Sequence, residues 1–194
     1  MSYVLGFLGD CALVTWLSLP LLLANMLPVV LGGGRPMDFG WCAGDGRRLL
    51  GDGKTWQGFF GGVFFGVLTT WTLAMLALTP GGMPSLYRIW EIDDFQFIRH
   101  MGWLALGALL GDLTKSLIKR RIGFDRGQPW FLVDQFDAVA GAFLLSWMFD
   151  RQWFTGNFIA SRGPALMFML LVYLVGHQIL SRWAHANHLK LVPH

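Results

Sequence analysis

Charge is scarce in this chain. Lys, Arg, Asp and Glu make up 14% of its 194 residues, whereas a soluble domain carries about 25%. With 54% hydrophobic residues and a mean hydropathy of +0.48, that shortage excludes an ordinary water-soluble globule and points to a single transmembrane domain. Cysteine is scarcer still. Cys11 and Cys42 have no metal-ligand spacing and fall on opposite sides of the predicted topology, which excludes a disulfide framework and predicts two reduced thiols. No Lys or Arg precedes Arg35, so the basic region of a cleavable signal peptide is missing and none is predicted. No internal repeat is evident either, which argues against the inverted halves of a transporter.

Long apolar runs are what the chain does have. Five are predicted to span a hydrocarbon core, over about 11–31, 57–78, 101–118, 132–149 and 164–183. The expected fold is therefore an all-α integral membrane protein of five transmembrane helices. Two connections matter, 32–56 and 119–131. Eleven basic residues (Arg35, Arg47, Arg48, Lys54, Lys115, Lys119, Arg120, Arg121, Arg126, Arg182 and Lys190) fall on one side of this topology. Only Arg88, Arg99, Arg151 and Arg162 fall on the other. The positive-inside rule then predicts the N-terminus outside, with both loops and the C-terminus cytoplasmic. In a cell membrane, the protein would be multi-pass with its site facing the cytoplasm.

One stretch concentrates the chemistry. Gly111 to Asp137 reads GDLTKSLIKRRIGFDRGQPWFLVDQFD and holds four aspartates and five basic residues between two apolar runs. Asp112, Lys115, Ser116 and Lys119 lie at i, i+3, i+4 and i+7, one stripe of a helix, and Asp134 and Asp137 share a face at i and i+3. Asp112 is seven residues before Lys119 and Asp137 seven after Trp130, about 10 Å along each helix at ~1.5 Å per residue. Two antiparallel helices would then bring carboxylates together at one depth beneath a basic rim. Intramembrane ionisable residues mark functional sites. Hard oxygen donors under Lys and Arg suit a polyphosphate held through Mg²⁺. An opening between helices at the inner leaflet would admit a lipid from the bilayer and a nucleotide from the cytosol.

The loop 32–56, GGGRPMDFGWCAGDGRRLLGDGKTW, is rich in glycine and charge and is predicted to bind substrate rather than merely link. Gly53-Lys54-Thr55 is like the end of a P-loop, but Arg48 stands where that motif needs glycine, so a Walker A reading fails. Gly58, Gly62 and Gly66, and Gly107 and Gly111, form small-residue faces predicted to bring these helices close. The acids Glu91, Asp93 and Asp94 of the outer connection are read as interfacial rather than metal-binding, and the tail from Leu191 as disordered. His100 is placed at an interface, and His177 is read as a packing residue.

The run GDLTKSLIKRR followed by LVDQFD resembles the C-terminal signature of the CTP-dependent phospholipid cytidylyltransferases. The segments PVVLGGGRPMDFG and DGRRLLGDGKTWQGFFGG resemble, more narrowly, their archaeal branch, the CDP-archaeol synthases. The likeness covers both loops and the order of the spans. The larger bacterial and eukaryotic relatives end in Asp-Arg-x-Asp, where this chain has Asp134-Gln135-Phe136-Asp137. The resemblance implies a reaction of CTP with an unsaturated ether-lipid phosphate from the inner leaflet, giving a CDP-lipid and pyrophosphate with Mg²⁺ as cofactor. It implies no nucleic-acid partner. On it, Asp112, Asp134 and Asp137 are the catalytic and metal residues, supported by Ser116. Lys115, Lys119, Arg120 and Arg121 are assigned to the triphosphate, and Asp52, Lys54 and Thr55 to the nucleotide side. Two alternatives stand beside it. A phosphotransferase of the CDP-alcohol type needs a longer Asp-Gly…Ala-Arg…Asp…Asp array than Asp134–Asp137 supplies. A cation-coupled transporter would carry acids along a pore, not beneath a basic rim.

Overall fold

The computed structural model describes residues 2–31, 33–77, 94–125, 128–130, 132–160 and 162–187. In order these form α1 (Ser2–Met26), a short α2 (Pro28–Leu31), α3 (Trp56–Ala77), α4 (Asp94–Arg121) and α5 (Val133–Phe149). A four-residue α6 (Arg151–Phe154), a π-helical turn (Thr155–Ile159) and α7 (Gly163–Ala186) follow. No strand occurs among the described residues, and only two isolated bridges, Pro36 with Thr55 and Cys42 with Arg48, pin the first loop. The expected outer connection around Pro80, Glu91 and Asp93, the loop residues Gly32, Arg126 and Gly127, and the tail beyond Asn187 lie outside the described residues.

Tyr3–Met26, Trp56–Leu76, Gln96–Arg121 and Gly163–Ala186 are long and apolar enough to cross a membrane. The surface agrees with that solvent. α3 turns Phe60, Phe64, Val67, Trp71 and Met75 outward, and α7 turns out Met167, Leu171, Val175 and Ile179. Continuous apolar stripes of this length are not tolerated by a soluble monomer. At 17 residues, α5 is shorter, about 25 Å at 1.5 Å per residue.

α1 packs against α3, α4 and α7, and α5 packs chiefly along α4. Val14, Leu17, Leu21, Met101, Leu104, Ala142 and Tyr173 fill the shared core. The α4–α5 contact is backbone on backbone. A Cβ at Gly111 would meet Asp137 O at 2.2 Å, and one at Gly141 would meet Gly107 O at 2.3 Å. Only glycine permits that approach. Far from the loops, Asp150 takes an ion pair from Arg99 (2.8 Å) and lies 2.9 Å from the Nδ1 of buried His100, whose ring stacks on Trp153 at 4.6 Å. This polar clasp ties the start of α4 to the start of α6.

Two helix starts differ from expectation by more than a residue, and one predicted span is broken. α1 begins at Ser2 instead of near Cys11 because Asp10 is paired with Arg162 at 3.2 Å, so its charge does not interrupt the helix. α4 begins at Asp94 instead of Met101 because the clasp neutralises Arg99. The first predicted span is divided at Leu27, ahead of Pro28, which lacks the N–H to continue the ladder and opens α2.

Candidate functional site

Asp112 and Asp137 face each other from α4 and α5 because the Gly107/Gly111/Gly141 contact removes everything between the two backbones. Lys115 joins them. Its ammonium lies 3.1 Å from Asp112, 2.6 Å from Asp137 and 3.5 Å from Asp134. The Asp137 contact is an ion pair without hydrogen-bond alignment, leaving that buried carboxylate oxygen without a donor. Lys119, one turn further along the same stripe, donates to both oxygens of Asp134 (3.1 and 3.0 Å). Asp134 also accepts the Trp130 N–H at 2.7 Å. An acid in the first turn of α5 sits where the helix dipole favours it.

The first loop closes over this cluster. Lys54 reaches from it to Asp112, completing an alternation of three lysines and three aspartates across α4, α5 and the loop. Thr55 caps α3 instead of standing free: its Oγ1 accepts the Gly58 N–H at 3.1 Å and the Gly33 N–H at 3.4 Å. Asp52 is half exposed and pairs with Arg48 at 2.8 Å. Ser116 is buried on α4.

Arginines latch loop to helix. Arg121 donates to Asp45 (2.8 Å) and to the carbonyls of Arg47 (3.1 Å) and Arg48 (2.6 Å). Arg120 donates to Phe124 O at 2.6 Å, while its Nε is buried without a hydrogen-bond partner beside Gly51. The Arg47 N–H and the Arg121 guanidinium hold the Asp45 carboxyl below its ordinary value.

The residue that organises the loop is Asp38, which sequence reasoning missed. Its side chain is 1% exposed. It accepts bonds from Arg48 Nη2 (2.6 Å) and Nε (3.2 Å) and from the N–H groups of Leu50 (3.0 Å), Gly51 (2.9 Å) and Gly40 (3.2 Å). Burial pushes this carboxyl up, but the Arg48 guanidinium and the three N–H groups outweigh it and hold it well below the carboxylate range. Its contribution is therefore complete above about pH 4 and is lost as pH falls toward the depressed folded value. The signal for it was local: an Asp two residues before a Gly is an Asx-turn pattern.

The donor set suits a hard divalent cation, since three carboxylates converge from two adjoining helices and Asp137 retains an oxygen with unused capacity. In the structure they converge on the Lys115 ammonium. Among the described residues, no three His, Cys, Asp or Glu side chains close directly on a common metal position. A deeper pair, Asn25 donating to the hydroxyl of buried Tyr173 at 3.0 Å, ties α1 to α7. Both cysteines are free, Cys11 buried and Cys42 exposed.

Comparison with known proteins bears on this geometry. The profile of the CarS-like family, CDP-archaeol synthase, matches residues 9–189. A CDP-archaeol synthase of Methanoculleus marisnigri is 39% identical over 182 residues, covering 90% of this chain and 99% of the relative. One from Archaeoglobus fulgidus is 42% identical over 147 residues, covering 75% and 80%. A solved structure described as an intramembrane enzyme for archaeal membrane lipids biosynthesis superposes with a TM-score of 0.62 at 34% identity, over 84% of this chain and 88% of that one.

Proposed function

The chain belongs to the CDP-archaeol synthase family, and on that footing we propose that it transfers the cytidylyl group of CTP to an unsaturated archaeal ether-lipid phosphate, releasing pyrophosphate. The observation that carries this reading is the cluster of Asp112, Asp134 and Asp137 around Lys115, walled by Lys54 and Lys119. Such a site neutralises and aligns two anions that repel each other.

Asp112 and Asp137, with Asp134 beside them, would hold Mg²⁺. Bound there, it supplies charge neutralisation for the triphosphate. The lipid phosphate is already an anion and attacks the α-phosphorus without a protein base, so alignment and electrostatics supply the acceleration. Lys54 exchanges Asp112 for a phosphate oxygen when the nucleotide arrives, and Asp52, paired with Arg48 on the same loop, is assigned to the nucleotide side. Lys115, Lys119 and Arg120 meet the remaining phosphate charge, with Ser116 in support. Arg121, bonded from α4 to the loop, and Thr55, capping α3 at the loop's end, hold it in place over the nucleotide. Purified protein given CTP and the lipid phosphate should form a CDP-lipid. Given a CDP-lipid and an alcohol acceptor instead, it should form nothing, and the opposite pattern would select the CDP-alcohol phosphotransferase reading.

Residues 1–194 are proposed to form one transmembrane domain in which α5 is the fourth of five spans, supported by its extensive packing along α4. The orientation proposed is N-terminus outside, with the site and both loops cytoplasmic. Cys42 is exposed on the first loop and Cys11 is buried, so an impermeant maleimide reports on one thiol. In sealed vesicles it should label Cys42 only from the cytoplasmic face, and labelling only from the outer face would contradict the orientation.

A further inference from the structure

The first loop carries an apolar feature that the reaction does not use. Phe39 and Trp41 are 62% and 71% exposed, although Asp38 between Met37 and Phe39 is buried. The Phe39 ring lies 6.3 Å from Trp56, and Trp56 stacks on Phe60 at 5.7 Å and 22°. Phe60 and Phe64 begin the outward stripe of α3 that runs on through Val67, Trp71 and Met75. The ladder therefore continues a membrane-facing surface upward into a polar loop.

Two further observations point the same way. Phe39 sits at φ 48°, a left-handed backbone that glycine or asparagine adopts readily and a bulky side chain rarely does. A large ring is retained there against local preference, and such outliers accompany function. Arg35, exposed, lies beside the ladder, its carbonyl accepting the Trp56 N–H at 3.2 Å. Aromatic rings with adjoining cationic side chains match the chemistry of the lipid headgroup layer.

We propose that the Phe39–Trp56–Phe60 ladder is an interfacial anchor that seats the glycine-rich loop in the headgroup layer of the membrane the chain spans. The anchor holds Lys54, on the same loop, at the height of the lipid phosphates. It rests on the chain's membrane-spanning architecture and not on the cytidylyltransferase reading.

The test places a probe at Phe39 itself. Phe39→Trp, made with 5-fluorotryptophan and reconstituted into bilayers, adds one ¹⁹F resonance to the spectrum. A nitroxide on the upper acyl chain should broaden that resonance several-fold more than a water-soluble gadolinium chelate does. Stronger broadening by the chelate would overturn the anchor. So would protection from both reagents, which would mean that a second copy of the chain covers the ring. Phe39→Asn provides an independent reading, since asparagine keeps the left-handed turn. It should raise the maleimide reaction rate of native Cys42 in bilayers several-fold at unchanged thermal unfolding, and an unchanged rate would count against the proposal.

Discussion

Asp112→Asn and Asp137→Asn are each expected to lower turnover about a thousandfold, ~4 kcal/mol of transition-state stabilisation, and the double variant to be little worse. Asparagine keeps the volume and one oxygen but loses the charge. Both carboxylates contact the Lys115 ammonium, at 3.1 and 2.6 Å, and side chains that act as a unit fail as a unit. Holding a carboxylate within a bilayer costs about 2.5–3.5 kcal/mol at its centre on insertion scales and less toward the interface, a cost that a purely structural pair of helices would avoid with apolar packing. If the aspartates served only to join α4 to α5, the variants would melt earlier and keep their magnesium dependence. Activity against Mg²⁺ concentration, measured beside thermal unfolding in detergent, separates the two. Near-normal activity of both single variants at saturating Mg²⁺ would remove the shared site.

Gly141→Ala should be among the most damaging single-methyl additions at the described residues. A Cβ there would lie 2.3 Å from Gly107 O and 2.6 Å from Gly111 Cα. Backbone atoms of a packed helix cannot swing aside, so α4 and α5 must part. Overpacking of this kind typically costs about 1–3 kcal/mol, and here it also draws Asp137 away from Lys115. Both unfolding temperature and turnover should fall, turnover even in the protein that remains folded. Gly102 in α4 is the internal control: nothing lies within 4 Å of a Cβ there, and alanine is the better helix former by roughly 1 kcal/mol. Equal stability of Gly141→Ala and Gly102→Ala would contradict the close contact.

Helical periodicity and equal distance from a short loop were enough to bring Asp112 and Asp137 together on paper, because both follow from the rise of a helix. Gly107 and Gly111 also announced a close contact, although Gly141, their partner across the interface, drew no attention alone. What escaped was tertiary neutralisation. The first and third spans were expected to begin near Cys11 and Met101, yet Arg162 and Asp150, distant in sequence, pair with Asp10 and Arg99 ahead of them, and α1 and α4 start earlier. Lys115 read as a phosphate ligand on the carboxylate stripe, and only the three-dimensional arrangement reveals it as the point on which three carboxylates converge. The first loop was the least legible. Its glycines suggested freedom, whereas Asp38, bonded to Arg48 and three N–H groups, fixes its course.

The central claim is transfer of the α-phosphoryl group of CTP, with its nucleoside, to a lipid phosphate. Two CTP samples, one labelled at the α-phosphorus and one at the γ-phosphorus, test it most directly when each is incubated with purified protein, Mg²⁺ and the lipid phosphate. Label from the α position should appear in the lipid fraction, and label from the γ position only in pyrophosphate. Label from the γ position in the lipid would mean phosphoryl transfer by a kinase and would contradict the cytidylyltransferase account.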